Sequence, residues 1–269
     1  MRKFGLFHPL VLSFYSQPLY QDAAKNWRGA AFLYLLLVLG LSLLPTMVTM
    51  QRGMSKFVAE DAPGVLQQIP RVSIIDGEVS TDVETPYDII DPETGKTMII
   101  IDPDGGLDSL EGSDAKVLIT RNQLIAKQRP RETRVYDLSG IKNFTIDRAR
   151  VAGWLEAARV WLVPLLFPFI LLALYCFRLF QAFVYGLIGL IFAKLLHVRL
   201  GLMASVALAI IAITPLLVLD TIFGVAKFQP PVWWLFGFII AMCYLFFGVR
   251  ANAAAPPPAQ TPGPQVTQA

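Results

Sequence analysis

The chain of 269 residues is short of charge, of cysteine and of histidine. Charged residues make up 16% of it, against roughly a quarter in a typical soluble domain. The two cysteines, Cys176 and Cys243, lie inside apolar runs, and the two histidines are His8 and His197. Residues 51–158 therefore contain neither type. That excludes a disulfide staple or thiolate chemistry there, Ser-His or Cys-His nucleophile pairs, and a histidine metal site. There is no Gly-rich phosphate loop. Acids are scarce outside the same block, where Asp22 and Asp220 are the only two. The ladder of membrane acids expected of a proton-coupled transporter is missing.

What the chain has is apolar length. Hydrophobic residues are 55% and mean hydropathy is +0.53, which excludes a disordered chain and argues against a purely soluble one. Gly29 to Met50 carries no charge and as a helix would reach roughly 32 Å, enough to span. Pro45-Thr46-Met47 stands where a signal peptide would carry a small-x-small cleavage site, so the run reads as a retained membrane helix. A second run extends from Trp154 to Leu196, interrupted by Arg178 and Lys194. A third covers Leu200 to Gly224, uncharged until Asp220, and a fourth Pro231 to Val249.

Charge placement orients these runs. Residues 51–158 hold 13 Lys/Arg and 18 Asp/Glu, a net of −5, and the rest of the chain is net +8. The basic residues outside the block flank apolar runs, the membrane pattern, which speaks against nucleic acid as a partner. With four spans, Arg2, Lys3, Lys25, Arg28, Lys194, His197, Arg199 and Arg250 share one side, the cytoplasmic one by the positive-inside rule. A five-span alternative breaks the second run at Arg178 and puts Lys194, Arg199 and Arg250 outside. The expected fold is a membrane α-helical bundle of four spans, with a small β-rich extracytoplasmic domain inserted after the first. Both termini are expected in the cytoplasm. The expected divisions are a cytoplasmic amphipathic segment 1–28, a first transmembrane helix 29–50 and an extracytoplasmic β-rich domain 51–153. A transmembrane bundle 154–249 and a disordered Pro-rich tail 250–269 follow. Arg178 to Leu196 is expected as an extended or interface-lying helix end. Its Ala182, Gly186, Gly189 and Ala193 form a small-residue face suited to close packing.

Within the charged block, Ile74-Ile75-Asp76-Gly77, Ile89-Ile90-Asp91-Pro92 and Ile100-Ile101-Asp102-Pro103 each join a β-branched pair to turn chemistry. Asp76-Gly77 predicts a tight hairpin. Pro92-Glu93-Thr94-Gly95 predicts a type I turn closed by a glycine in the left-handed region. With further strands at 116–120, 133–138 and 143–146, the expectation is a meander of five to seven short strands. Asp147 is placed to cap the helix that follows. Asp102 to Glu111 resembles a calcium loop, but Gly106 and Leu107 stand where a ligand and a glycine are needed, so an acidic turn is the better reading. Paired carboxylates for hydrolysis carry almost no signal among 18 acids.

No catalytic, cofactor-binding or metal residue is assigned, and no cofactor is expected. The candidate polar residues of the membrane region are Arg159, Arg178, Tyr185 and Asp220, because a charge in lipid is costly and often marks a path or a binding site. Arg159 and Asp220 are expected at similar depth and within side-chain reach.

Several features in order resemble a known family: Ser13-Phe14-Tyr15-Ser16 with Leu19-Tyr20, Ile69-Pro70, and Thr85-Pro86-Tyr87. They continue with Gly95-Lys96, Ile101-Asp102, Thr120, Gly189 with Ala193-Lys194, and Thr214-Pro215. Over residues 5–250 the chain is similar to domain-of-unknown-function family 1189, a bacterial group of multi-pass membrane proteins. The Thr-Pro step of the third span is also similar to Yip-type trafficking membrane proteins, from which the charged insert departs. The resemblance implies a bacterial inner membrane and carries no activity and no functional residue. The preferred expectation is a non-catalytic sensor, scaffold or accessory subunit. It would be embedded in membrane lipid and bind a protein partner through the extracytoplasmic domain. The alternatives are a small transporter or transporter subunit, marked by a cavity lined by Arg178 and Tyr185, and a carboxylate hydrolase at the membrane edge.

Overall fold

A computed structural model describes residues 2–129, 132–228 and 230–253. The chain divides into two compact units, one of residues 1–47 with 167–269 and one of residues 48–166. Among the described residues, four helical stretches are long and apolar enough to cross a membrane: Gly29–Leu66, Arg148–Leu195, Leu202–Val225 and Trp233–Ala251. The expected Pro-rich tail lies outside the described residues from position 254 onward. Its first residues continue the last helix to Ala251.

The helical unit contains α1 (Pro9–Leu12), α2 (Gln17–Asn26), most of α3 (Arg28–Lys56), the larger part of α5 (Arg148–Leu195), α6 (Leu202–Val225) and α7 (Trp233–Ala251). Between α3 and α5 the chain forms the short α4 (Ala62–Leu66) and eight strands. Helix α6 is the centre of this unit, because every residue from Ser205 to Leu217 is buried. Its Ala, Val, Ile and Leu side chains leave no polar face, so neighbours surround it. Helix α5 presents the small-residue face to it. Ala182, Gly186, Gly189 and Ala193 are all buried, and a Cβ on Gly186 would lie 2.7 Å from Val206 Cγ2. Only glycine lets the two backbones approach so closely, and the Ser205 hydroxyl uses the approach to donate to the Gly186 carbonyl (2.7 Å). The expected extended or interface-lying end is therefore a packed part of one unbroken helix, and the five-span break at Arg178 is absent.

Helix α2 belongs to the packed interior of this unit as well. Leu19, Tyr20, Ala23 and Trp27 at its end are fully buried, so one face of the expected amphipathic segment packs into this unit. Tyr20 lies against Gly248 of α7, where a Cβ would collide with its ring. The Gln21 amide donates to the Ala251 carbonyl (2.7 Å). Tyr34 of α3 and Thr214 of α6 share a hydrogen bond at 3.0 Å, and Thr214 also returns to Ile210 O one turn back (3.3 Å), near the carbonyl that Pro215 leaves without a helical donor.

The second unit holds β1 (Val72–Ile75), β2 (Glu78–Thr81), β3 (Tyr87–Ile90), β4 (Thr97–Ile101), β5 (Val117–Ile119), β6 (Gln123–Arg129), β7 (Glu132–Asp137) and β8 (Asn143–Ile146). They form two sheets, of order β2-β1-β8 and β3-β4-β5-β6-β7. The Asp76-Gly77 hairpin is present, with Ile75 opposite Glu78 and positive φ at both turn residues (47° and 85°), as a type I′ turn requires. Gly95 has φ 68° and closes the second turn. The arrangement is not a meander: β4 and β5 run parallel, and β8 returns to pair with β1. The connection from Asp102 to Lys116 makes the parallel step possible, since parallel neighbours need a crossover. Asp102 is buried, and its carboxylate accepts the Leu107 N–H (2.7 Å); it organises that connection. Asp147 caps α5 by accepting the Arg150 N–H (2.8 Å).

Candidate functional site

Three of the four polar residues singled out in the sequence meet in the helical unit. On α5, positions 178, 181 and 185 share one face by helical spacing. Arg178 Nη1 donates to Gln181 Oε1 (2.7 Å), and Gln181 Nε2 donates to the Tyr185 hydroxyl (2.9 Å). Arg178 Nη2 also reaches Asp220 Oδ2 of α6 at 3.3 Å, and its guanidinium lies 5.9 Å from the Phe177 ring centre. Trp233, the first residue of α7, donates its indole N–H to Asp220 Oδ1. The side chains of Arg178 and Asp220 keep 17% and 33% of their surface, so the pair is only partly desolvated. Its attraction is intermediate between that of a surface bridge and a buried one.

Arg159 takes no part in this network. It pairs with Glu156, three residues earlier on the same helix, at 3.3 Å, and its backbone carbonyl accepts Gln51 Nε2 (2.6 Å). The expected partnership of Arg159 with Asp220 is thus replaced on both sides. A carboxylate one turn away on the same helix is always within reach, and Asp220 is met by a guanidinium on the face of α5 that packs against α6.

Sequence reasoning passed over Gln181 and Trp233, which link the charged residues, and over Asp22. The last is buried in α2 and accepts four donors: the N–H groups of Lys3 (3.1 Å) and Phe4 (3.4 Å), Asn26 Nδ2 (2.7 Å) and Trp27 Nε1 (2.8 Å). Burial opposes its ionisation, but the donors outweigh burial and hold its carboxyl below the usual carboxylate range. The clue was present, since an acid in a stretch that contributes almost no others needs a partner.

Next to Asp220 is a small cavity of about 280 Å³, lined by Asp220, Phe223, Gly224, Phe228, Pro230 and Trp233. Phe223 stands nearly perpendicular to Phe228 (centres 5.6 Å apart, 78°) and to Trp233 (4.9 Å, 74°). The turn that carries it holds Lys227 and Val232 at φ 53° and 56°. For a β-branched residue such as Val232 this conformation costs on the order of 1–3 kcal/mol and persists only where the surroundings impose it.

The strand unit offers open grooves but, among the described residues, no three His, Cys, Asp or Glu side chains are grouped to hold an ion. One groove, of about 570 Å³, is lined by the connection Asp108–Gly112, by Ile125 and Lys127 of β6, and by Thr133 and Val135 of β7. All six residues of β7 are exposed. Among the described residues, β7 pairs in its sheet with β6 alone. The opposite edge differs, because the Gln68 amide covers β3 by accepting the Ile90 N–H (2.8 Å) and donating to the Ile90 carbonyl (2.9 Å). Asp91 and Asp137, at turns of the two outer strands, are held below the usual carboxylate range. Hydrogen bonds from the Thr94 hydroxyl and the Ser139 N–H, respectively, are the leading causes.

The family profile described as Protein of unknown function (DUF1189) matches residues 7–249. The chain belongs to this family. No curated protein and no solved structure matches it. The matched range includes the features from Ser13 to Pro215. Membership in the DUF1189 family assigns no activity to the Arg178–Asp220 network or to the sheet edge.

Proposed function

We propose that this DUF1189 chain is a non-catalytic bacterial inner-membrane protein that binds a protein partner through residues 48–166, acting as a sensor, scaffold or accessory subunit. The reading takes the four apolar helices as membrane spans, puts both termini in the cytoplasm and the strand unit outside. The positive-inside distribution of Lys and Arg supports that orientation. A periplasmic reporter fused to the C-terminus should be inactive and a cytoplasmic one active; the reverse result would remove the topology.

The observation that carries partner binding is the open edge of β7. An unpaired strand offers a row of N–H and C=O groups to an extended segment of another protein. The contrast with β3, where Gln68 covers the Ile90 end of the edge, favours β7 as the available side. Val135, 57% exposed, and the groove it shares with Ile125 would supply side-chain specificity. A photo-crosslinking residue at Val135 should give a discrete protein adduct in cells, and one at Asp88 on the β3 edge should not. Equal labelling from both edges, or none from either, would refute the assignment.

A second reading, a small transporter or transporter subunit, draws on the Arg178–Asp220 pair lying within apolar helices. It predicts that Arg178→Gln abolishes the cellular role while leaving the crosslink at Val135 intact.

A further inference from the structure

We infer that the cavity at the α6–α7 turn holds the primary ammonium group of an ethanolamine-type lipid headgroup. The inference takes α6 and α7 as membrane-crossing helices, and it is independent of what binds the strand unit. Three aromatic rings and one carboxylate line a space of about 280 Å³. That is at the small end of the roughly 300–1,000 Å³ of pockets for whole drug-sized ligands, and suits a headgroup fragment. Phe223 stands perpendicular to both Phe228 and Trp233, with ring centres 5.6 and 4.9 Å away. Perpendicular rings at these spacings pack edge to face, which fixes them as walls of the cavity, and a cation held within about 6 Å of a ring face there is attracted by it.

Asp220 supplies the counter-charge. Its Oδ1 accepts the Trp233 indole N–H, which fixes both the carboxylate and one wall of the box. Its Oδ2 meets Arg178 through a single nitrogen at 3.3 Å, longer than the roughly 2.7–2.9 Å of a strong charge-assisted bond. Arg178 makes its shorter bond to Gln181 (2.7 Å). The carboxylate is therefore oriented but not saturated, and it keeps lone pairs for further donors. That free acceptor capacity favours an ammonium with N–H groups over a fully methylated one.

The location selects a lipid over a soluble amine. The cavity opens where two consecutive apolar helices end, beside the exposed side chains of Ile222, Val225, Phe228, Val232 and Trp234. Aromatic residues at that depth mark the headgroup layer of a bilayer, where the amine of an ethanolamine lipid is the abundant cation.

The test uses the full chain in detergent with equimolar phosphatidylethanolamine and phosphatidylglycerol, with retained lipid counted by native mass spectrometry. The expected result is a preference for the ethanolamine lipid of roughly three- to five-fold, the size an exposed cation–π contact gives, and a weaker preference for phosphatidylcholine. Phe228→Leu, at a side chain already 56% exposed, should fold normally and bring the preference close to unity, as should Asp220→Asn. Equal retention of all headgroups would overturn the inference. So would a preference that survives both variants, since the lipid would then sit elsewhere. Displacement by free ethanolamine at concentrations matching the lipid would identify a soluble amine and overturn the lipid assignment.

Discussion

The two units treat acidic residues in opposite ways. In the strand unit acids are common, and most lie at the surface, with Asp102 the buried exception. The Arg121–Glu78 and Lys96–Asp114 bridges, at 3.8 and 3.4 Å, join side chains about two-thirds exposed. In the helical unit Asp22 and Asp220 are the only acids, and each is held by two or more donors from different parts of the chain. The difference follows from solvent. Where water can take either partner, an ion pair adds little. Where it cannot, an unpaired carboxylate is so costly that it survives only with several hydrogen bonds. Scarcity of a residue type in a segment is thus a guide to its structural weight.

The sharpest way to break this comparison is Asp22→Ala. It removes four hydrogen bonds from one carboxylate, and bonds to a charged group are worth about 1.5–3 kcal/mol each net of exchange with water. We expect a loss of at least about 3 kcal/mol in thermal unfolding of the detergent-solubilised chain. A loss under about 1 kcal/mol would show that the N-terminal segment is not held by this residue. The sign of the pH effect follows from its lowered pKa. The stabilisation is fully present above the ordinary carboxylate pKa and is lost as pH falls through the lower, folded value. An Asp22→Asn variant should lack that acid-side loss.

Gly186→Val should come next, with about 1–3 kcal/mol of overpacking, because the added Cβ would lie 2.7 Å from Val206 Cγ2 and 3.2 Å from backbone atoms of Val206. Gly40, with nothing within 4 Å of an added Cβ, is the control, and Gly40→Ala should leave the unfolding midpoint unchanged or raise it slightly.

A double-mutant cycle of Arg178→Gln and Asp220→Asn should give a smaller coupling, about 1–2 kcal/mol. Each single change leaves its partner's charge in a largely apolar region, and the pair together removes both. Additive losses would mean that Gln181 and Trp233 hold the two groups independently. The smallest effect should be at Arg121→Ala in the strand unit, within about 0.5 kcal/mol. A larger loss there would show that the exposed bridges of the second unit carry more than their geometry implies.

The sequence by itself determined the features that depend on near neighbours along the chain. The four apolar helices follow from runs too long for anything else. The Asp76-Gly77 turn, the Gly95 turn and the Asp147 cap each depend on residues within four positions of one another. So does the small face of Ala182, Gly186, Gly189 and Ala193, whose spacing is set by the helix itself. Tertiary structure decided which distant groups meet. The parallel β4–β5 pairing depends on how a polar connection crosses the sheet, and hydrophobic period does not specify that. The burial of α2 against α6 and α7 turns on Gly248, which makes room for the Tyr20 ring from more than 200 residues away. Asp220 pairs with Arg178 and not Arg159 because the two arginines lie roughly 28 Å apart along the single helix α5, and the packing of α5 on α6 brings the Arg178 level to Asp220. Long-range contacts of this kind are chosen by shape and by the cost of leaving a charge alone, and both quantities exist only once the chain is folded.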